Sequence, residues 1–216
     1  VRLPNDTQRL TVVGATGSGK THAALWHLSR RNYDAKPWII YDFKNDELIN
    51  SIDNLQELGF NDPLPKQAGL YVVHPSPADT DEVEQQMWRI WSQENIGVYI
   101  DEGYMVGTNN RGFRALLTQG RSKRIPMITL SQRPVWLDRF VFSESEFYQI
   151  FRLQHRGDVA NVEQFVPYDL SERLPEYHSY YYDVPQNTLI VAKPVPDQAV
   201  ILDTFDLKLR HLKKVI

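Results

Sequence analysis

The chain has 216 residues, a formal net charge of −3 and no cysteine. That length supports a well-buried core and reads as one domain over residues 1–216, while the absence of cysteine excludes a disulfide framework and a thiolate metal site. No apolar stretch approaches the length of a membrane span, and Arg2, Asp6 and Arg9 interrupt a signal-peptide reading, so the expected location is the cytoplasm.

The first apolar run, residues 9–13, contains Leu10-Thr11-Val12-Val13 and reads as a buried strand. It leads into Gly14-Ala15-Thr16-Gly17-Ser18-Gly19-Lys20-Thr21, which fits the phosphate-loop pattern G-x-x-x-x-G-K-[ST] at every fixed position. Such a loop wraps an anion with its N–H groups turned inward, and a helix expected over residues 22–31 adds the positive end of its dipole. The eight residues Gly14, Ala15, Thr16, Gly17, Ser18, Gly19, Lys20 and Thr21 are therefore the expected binding set for a nucleoside triphosphate. Lys20 would reach the β- and γ-phosphates, and the Thr21 hydroxyl would ligate Mg²⁺. His22 and His27, five apart, leave a helix on different sides and do not read as a metal pair.

Further strands are expected at 38–41, 70–74, 98–101, 127–131 and 149–153, several of them continuous apolar runs suited to a sheet covered on both faces. Helices fit the intervals between them. Residues 79–95 place Val83, Met87, Ile90 and Trp91 on one stripe with Trp88 beside it, the pattern of core or subunit packing. Residues 177–184 and 188–192 flank Pro185-Gln186-Asn187 as a β-hairpin. The expected fold class is α/β: a mainly parallel sheet between helices, a C-terminal β-hairpin, and nucleotide at the carboxyl ends of the strands.

Val98-Tyr99-Ile100 runs directly into Asp101-Glu102. An aspartate at the end of a buried strand can hold Mg²⁺ through its water shell opposite Thr21, and Glu102 would align or deprotonate the water that attacks the γ-phosphate. A hydrolase needs such a residue, whereas a kinase uses its acceptor. The run Met127-Ile128-Thr129-Leu130 ends in Ser131-Gln132-Arg133-Pro134. Gln132 can donate to a γ-phosphate and accept from a water, so it can report whether the triphosphate is intact.

Charge is segregated along the chain. Residues 103–137 carry Arg111, Arg114, Arg121, Lys123, Arg124 and Arg133 and no acid, and a second basic run, Lys208, Arg210, Lys213 and Lys214, lies near the C-terminus. Solvated helix faces would account for such runs; contact with nucleotide phosphates or a nucleic-acid backbone is the functional reading.

Taken together, G-A-T-G-S-G-K-T, V-Y-I-D-E and Q-G-R-S-K-R-I-P-M-I-T-L-S-Q-R-P resemble the FtsK/HerA superfamily of DNA-pumping ATPases. The compact length is most similar to its viral branch, the genome-packaging ATPases of membrane-containing icosahedral viruses. The resemblance covers about Leu10 to Gln164 of a core at about 8–165, and residues 166–216 form an extension that matches no signature. It implies a RecA-like P-loop NTPase sheet, a hexameric ring, ATP hydrolysis with Mg²⁺ at subunit interfaces, and double-stranded DNA drawn through the pore. Lys20, Thr21, Asp101, Glu102 and Gln132 take the roles given above, and Arg121 matches the arginine finger offered by a neighbouring subunit, with Arg124 in reserve. Asp42-Phe43-Lys44 resembles an Asp-Pro-Lys motif of the superfamily, with Phe43 in place of proline and its role open.

In RecA-like rings the loop that follows the catalytic strand faces the pore. The turn-rich residues 103–112 are its equivalent, which makes Arg111 and Arg114 the candidates for gripping DNA phosphates without reading sequence. A capsid vertex or portal protein would be the partner, any membrane association would come through that partner, and the location would be the host cytoplasm or a virion vertex. The alternatives are a cellular HerA-type or conjugation-type DNA pump, a P-loop small-molecule kinase, and a non-catalytic nucleotide-dependent assembly protein.

Overall fold

Five-residue runs of β-branched and aromatic side chains, each bounded by turn residues, supply most of the strands. The computed structural model describes residues 1–107, 109–210 and 212. Among these, nine strands form one sheet in the order β3-β4-β2-β5-β6-β1-β7-β8-β9. They are β1 (Arg9–Val13), β2 (Pro37–Asp42), β3 (Gln56–Glu57), β4 (Gly69–Val73), β5 (Gly97–Asp101), β6 (Met127–Ser131), β7 (Phe147–Ile150), β8 (Ser179–Asp183) and β9 (Thr188–Ala192). β1 to β7 pair in parallel; β8 and β9 add an antiparallel hairpin on the β7 side.

Every residue of β1, β2, β5 and β6 is buried, as a sheet covered on both faces requires. One face packs Val83, Met87 and Ile90 of α3 (Thr80–Gln93) with Phe113 and Leu116 of α4 (Arg111–Gln119). The other packs Ala24, Leu25 and Leu28 of α1 (Lys20–Ser29) with Ile201, Phe205 and Leu209 of α7 (Gln198–Leu209). Each of these side chains other than Ala24 contributes about 1.5–3 kcal/mol by leaving water. The remaining helices are α2 (Glu47–Asn50), α5 (Arg139–Ser143) and α6 (Arg156–Glu163).

Side-chain caps start several of these helices. The Asp46 carboxylate accepts from Leu48 N at 2.9 Å at the head of α2, and Asn110 Oδ1 accepts from Phe113 N at 2.7 Å at the head of α4. Asp81 and Glu82 lie in the first turn of α3, where the dipole favours them.

The structure corrects four expectations. The seventh strand spans Phe147–Ile150 rather than 149–153, because the Arg152 carbonyl leaves the ladder to accept from Ala15 N at 2.9 Å. The first hairpin strand starts at Ser179 rather than 177: Tyr177 has φ 57, and His178 N turns back to the Pro175 carbonyl. The first helix starts at Lys20 instead of 22 and ends at Ser29 instead of 31. The expected loop over 103–112 is mostly helical, a 3-10 turn at Gly103–Val106 and the first residues of α4, with Thr108 outside the described residues. Trp91 is partly buried against the core while Trp88 remains 38% exposed beside it.

Candidate active site

The parallel register brings the carboxyl ends of β1, β5, β6 and β2 side by side, and the sequence supplies polar residues where β2, β5 and β6 stop. Val13 lies opposite Ser131 and Asp42 opposite Asp101. The phosphate loop leaves β1 with Gly14 N donating to the Ser131 carbonyl at 3.2 Å. Gly17 and Gly19 have φ values of 73 and 94, a region open to glycine at little cost. Lys20 then opens α1, so the loop leads directly into a helix N-terminus, the positive end of the helix dipole.

Glu102 is the centre of the polar network. Its side chain is fully buried at 0% exposure; Oε2 accepts from Gln132 N at 3.1 Å, and Oε1 lies 3.9 Å from Lys20 Nζ and accepts from Lys44 Nζ. Gln132 is fixed in turn, its Oε1 accepting from Thr16 Oγ1 at 2.7 Å. Burial lowers the Lys20 pKa in spite of Glu102. For Lys44 burial works the same way, but the hydrogen bond and charge of Glu102 outweigh it and raise its pKa.

Asp101 differs from its neighbour. Both of its carboxylate oxygens are buried and make no hydrogen bond, and burial pushes its pKa up to about 7. A buried carboxylate with two unused oxygens fits a hard divalent cation and its water shell. The chemistry of Asp101 thus suits the divalent cation expected at the phosphate loop.

A cleft of about 630 Å³ opens beside the loop, lined by Gly19, Lys20, Thr21, Asp46 and Tyr177 among others. A second, of about 420 Å³, is lined by Ser18, Arg152, Arg173, Tyr177 and His178. Tyr177 stands between the two, and a methyl group added at Gly19 would meet its ring at 3.2 Å. The segment after α6 thus folds back over the phosphate loop. Arg152, Arg173 and Tyr177 carry no sequence signal for this position, because none belongs to a local pattern.

The basic residues divide into several groups. Arg111 is exposed in the first turn of α4, whereas Arg114 Nε donates to Asp138 Oδ2 at 2.6 Å. Arg121 and Arg124 lie in the turn before β6, at the amino ends of the strands and away from the phosphate loop; Arg121 is 67% exposed and 3.9 Å from Glu146. Near the C-terminus, Lys208 Nζ donates to the Arg31 carbonyl at 2.8 Å and Arg210 pairs with Asp206. Those two are engaged within the fold, and Lys213 and Lys214 lie outside the described residues. His27 is buried against Gln149, and neither it nor His22 belongs to a metal cluster of three or more His, Cys, Asp or Glu among the described residues.

No protein-family model matches the chain. It is 49% identical over 218 residues to the DNA packaging ATPase P9 of Enterobacteria phage PRD1, a match that covers 96% of each chain. Among solved structures, it is similar to the genome packaging NTPase B204 of Sulfolobus turreted icosahedral virus 2 in complex with ATP-gammaS, with a TM-score of 0.71, 17% identity and coverage of 89% of this chain and 100% of that one. ATPases 2 and 3 of EssC from Geobacillus thermodenitrificans align with a TM-score of 0.60 and 13% identity over 97% of this chain and 44% of theirs. These likenesses fit the P-loop NTPase fold described above, and at the identity and coverage shared with the phage protein the chain belongs to the family of viral DNA-packaging ATPases.

Proposed function

We propose that the chain hydrolyses ATP to draw double-stranded DNA into a preformed viral capsid, working as one subunit of a hexameric ring. The observation that carries this reading is the meeting of Lys20, Asp101, Glu102 and Gln132 at the carboxyl ends of three adjacent strands. Lys20 and the loop amides bind the triphosphate, and the exposed ring of Tyr177 offers a face for the base. Mg²⁺, held by Thr21 and Asp101, would neutralise charge on the phosphate oxygens. Glu102 accepts the proton of the attacking water, and Gln132 reads the γ-phosphate. Arg121 completes the pocket of the neighbouring subunit, with Arg124 in reserve. A capsid vertex or portal protein is the docking partner, which fits a location at the virion vertex or in the host cytoplasm. No helix among the described residues is long and apolar enough to cross a membrane.

Arg111 is the cleaner DNA contact, since removing Arg114 would also strand the buried carboxylate of Asp138. The test is ATP turnover and DNA binding with and without double-stranded DNA. Turnover should rise with DNA, and Arg111→Ala should weaken binding on all sequences and flatten the log–log salt slope by about one unit while basal turnover persists. A turnover indifferent to DNA, or transfer of phosphate to a small acceptor, would replace the motor with a kinase or an assembly factor.

A further inference from the structure

We propose that Lys44 is a latch on the catalytic glutamate: its ammonium holds Glu102 in an ion pair that keeps the carboxylate from water, so that hydrolysis waits until the turn carrying Lys44 moves. The inference rests on the reading of Glu102 as the general base.

The topology creates the contact. Asp42 and Asp101 are register partners on β2 and β5, so the turn after β2 lies beside the turn after β5. Asp42 shapes the first of these turns, its Oδ1 accepting from Lys44 N at 3.2 Å and its Oδ2 from Asp46 N at 2.9 Å. Asn45 follows with φ 55, and the Asp46 cap starts α2 directly afterwards. Asp42 and α2 therefore aim Lys44 back across the strand ends at Glu102. This assigns a use to the Asp42-Phe43-Lys44 string.

The carboxylate is fully committed. One oxygen takes Lys44 and lies near Lys20, the other takes the Gln132 amide, and the group is sealed from solvent. A general base must have a lone pair directed at the water it deprotonates. Arrival of a triphosphate draws Lys20 to the phosphates, because Lys20 opens the helix of the phosphate loop. Lys44 is on the far side of β5 from that loop and keeps its hold. Its side chain is 41% exposed, so a displacement of the turn can withdraw it without crossing the core. Lys44 acts through Glu102 and is a positioning residue.

The test measures steady-state ATP turnover, ATP affinity and melting temperature for Lys44→Met, Lys44→Arg, Glu102→Gln and Lys44→Met/Glu102→Gln. Lys44→Met should raise basal kcat about tenfold with KM and ATP affinity little changed, inside the ~10²- to 10⁴-fold that a positioned base supplies. Lys44→Arg should return turnover to the low native rate, and the double variant should be inactive. An unchanged or lower kcat in a folded Lys44→Met, with Glu102→Gln inactive, overturns the latch and leaves Lys44 as a phosphate or structural contact. Near-native turnover in Glu102→Gln removes the base itself, and the latch with it.

Discussion

Glu102 has φ 58, a left-handed conformation that costs a residue with a side chain about 1 kcal/mol or more. The chain accepts that cost because β5 ends against β6 and must turn at once: a methyl group at Gly103 would sit 2.5 Å from Thr129 Cγ2. The turn sets the carboxylate under Gln132 N instead of out in solvent. In the proposed mechanism binding and chemistry are carried by separate side chains, and variants should separate them. Lys20→Ala should weaken triphosphate binding and abolish turnover, whereas Glu102→Gln should retain ATP while hydrolysis falls by about 10²-fold or more. Titration with a fluorescent ATP analogue, beside a phosphate-release assay, reads the two effects; loss of binding in Glu102→Gln would make that residue a structural partner of Lys20. Lys20 was legible in sequence through the phosphate-loop string, and Asp101, Glu102 and Gln132 because each ends or follows a local apolar run. The partnership of Lys44 with Glu102 was not, since it depends on β2 lying next to β5, a relation that no local string encodes.

Elements show the same division between local and long-range information. Fully buried strands announce themselves as apolar runs, and α3 declares its stripe through Val83, Met87 and Ile90. α7 is harder to read: Ile201, Phe205 and Leu209 face the core at four-residue spacing, but the exposed Val200 and Leu207 blur the stripe. The hairpin was visible, while the contact that ties it to the core was not. His27 of α1 bonds Gln149 of β7 at 2.9 Å, and Gln149 donates to Ser179 of β8 at 3.0 Å, so one imidazole joins the helix after the phosphate loop to the antiparallel edge. Burial, helped by the charge of Arg31, lowers the His27 pKa from 6.5 to about 3. The unfolded chain then binds a proton that the folded chain refuses, so stability contributed by this group is complete above about pH 6.5 and is lost as pH falls toward about 3. Acid melting curves should show this loss as roughly 2 kcal/mol by about pH 5, and His27→Gln should flatten it. An equal acid slope in the variant would assign the sensitivity to carboxylates instead.

At the scale of the molecule, the sheet separates the phosphate loop from the proposed arginine finger. The phosphate loop, Glu102 and Gln132 occupy the carboxyl ends of the strands, while Arg121 is at the amino ends, about 17 Å away across a five-residue strand. Arg121 is exposed and only loosely paired with Glu146, and its position puts it out of reach of its own nucleotide. Its use in hydrolysis therefore requires a second copy of the chain, which is the basis of the proposed ring. A finger supplied in trans stabilises charge developing on the γ-phosphate, and its removal costs about 10³- to 10⁵-fold in rate where such a finger operates. Arg121→Ala should thus bind ATP normally and hydrolyse it poorly. Mixed with Lys20→Ala, it should regain activity, because an interface that joins the intact pocket of one variant to the intact finger of the other is complete. If subunits exchange and the mixture stays as inactive as its components, Arg121 has no role at a neighbour's site, and Arg124, in the same turn, becomes the residue to substitute next.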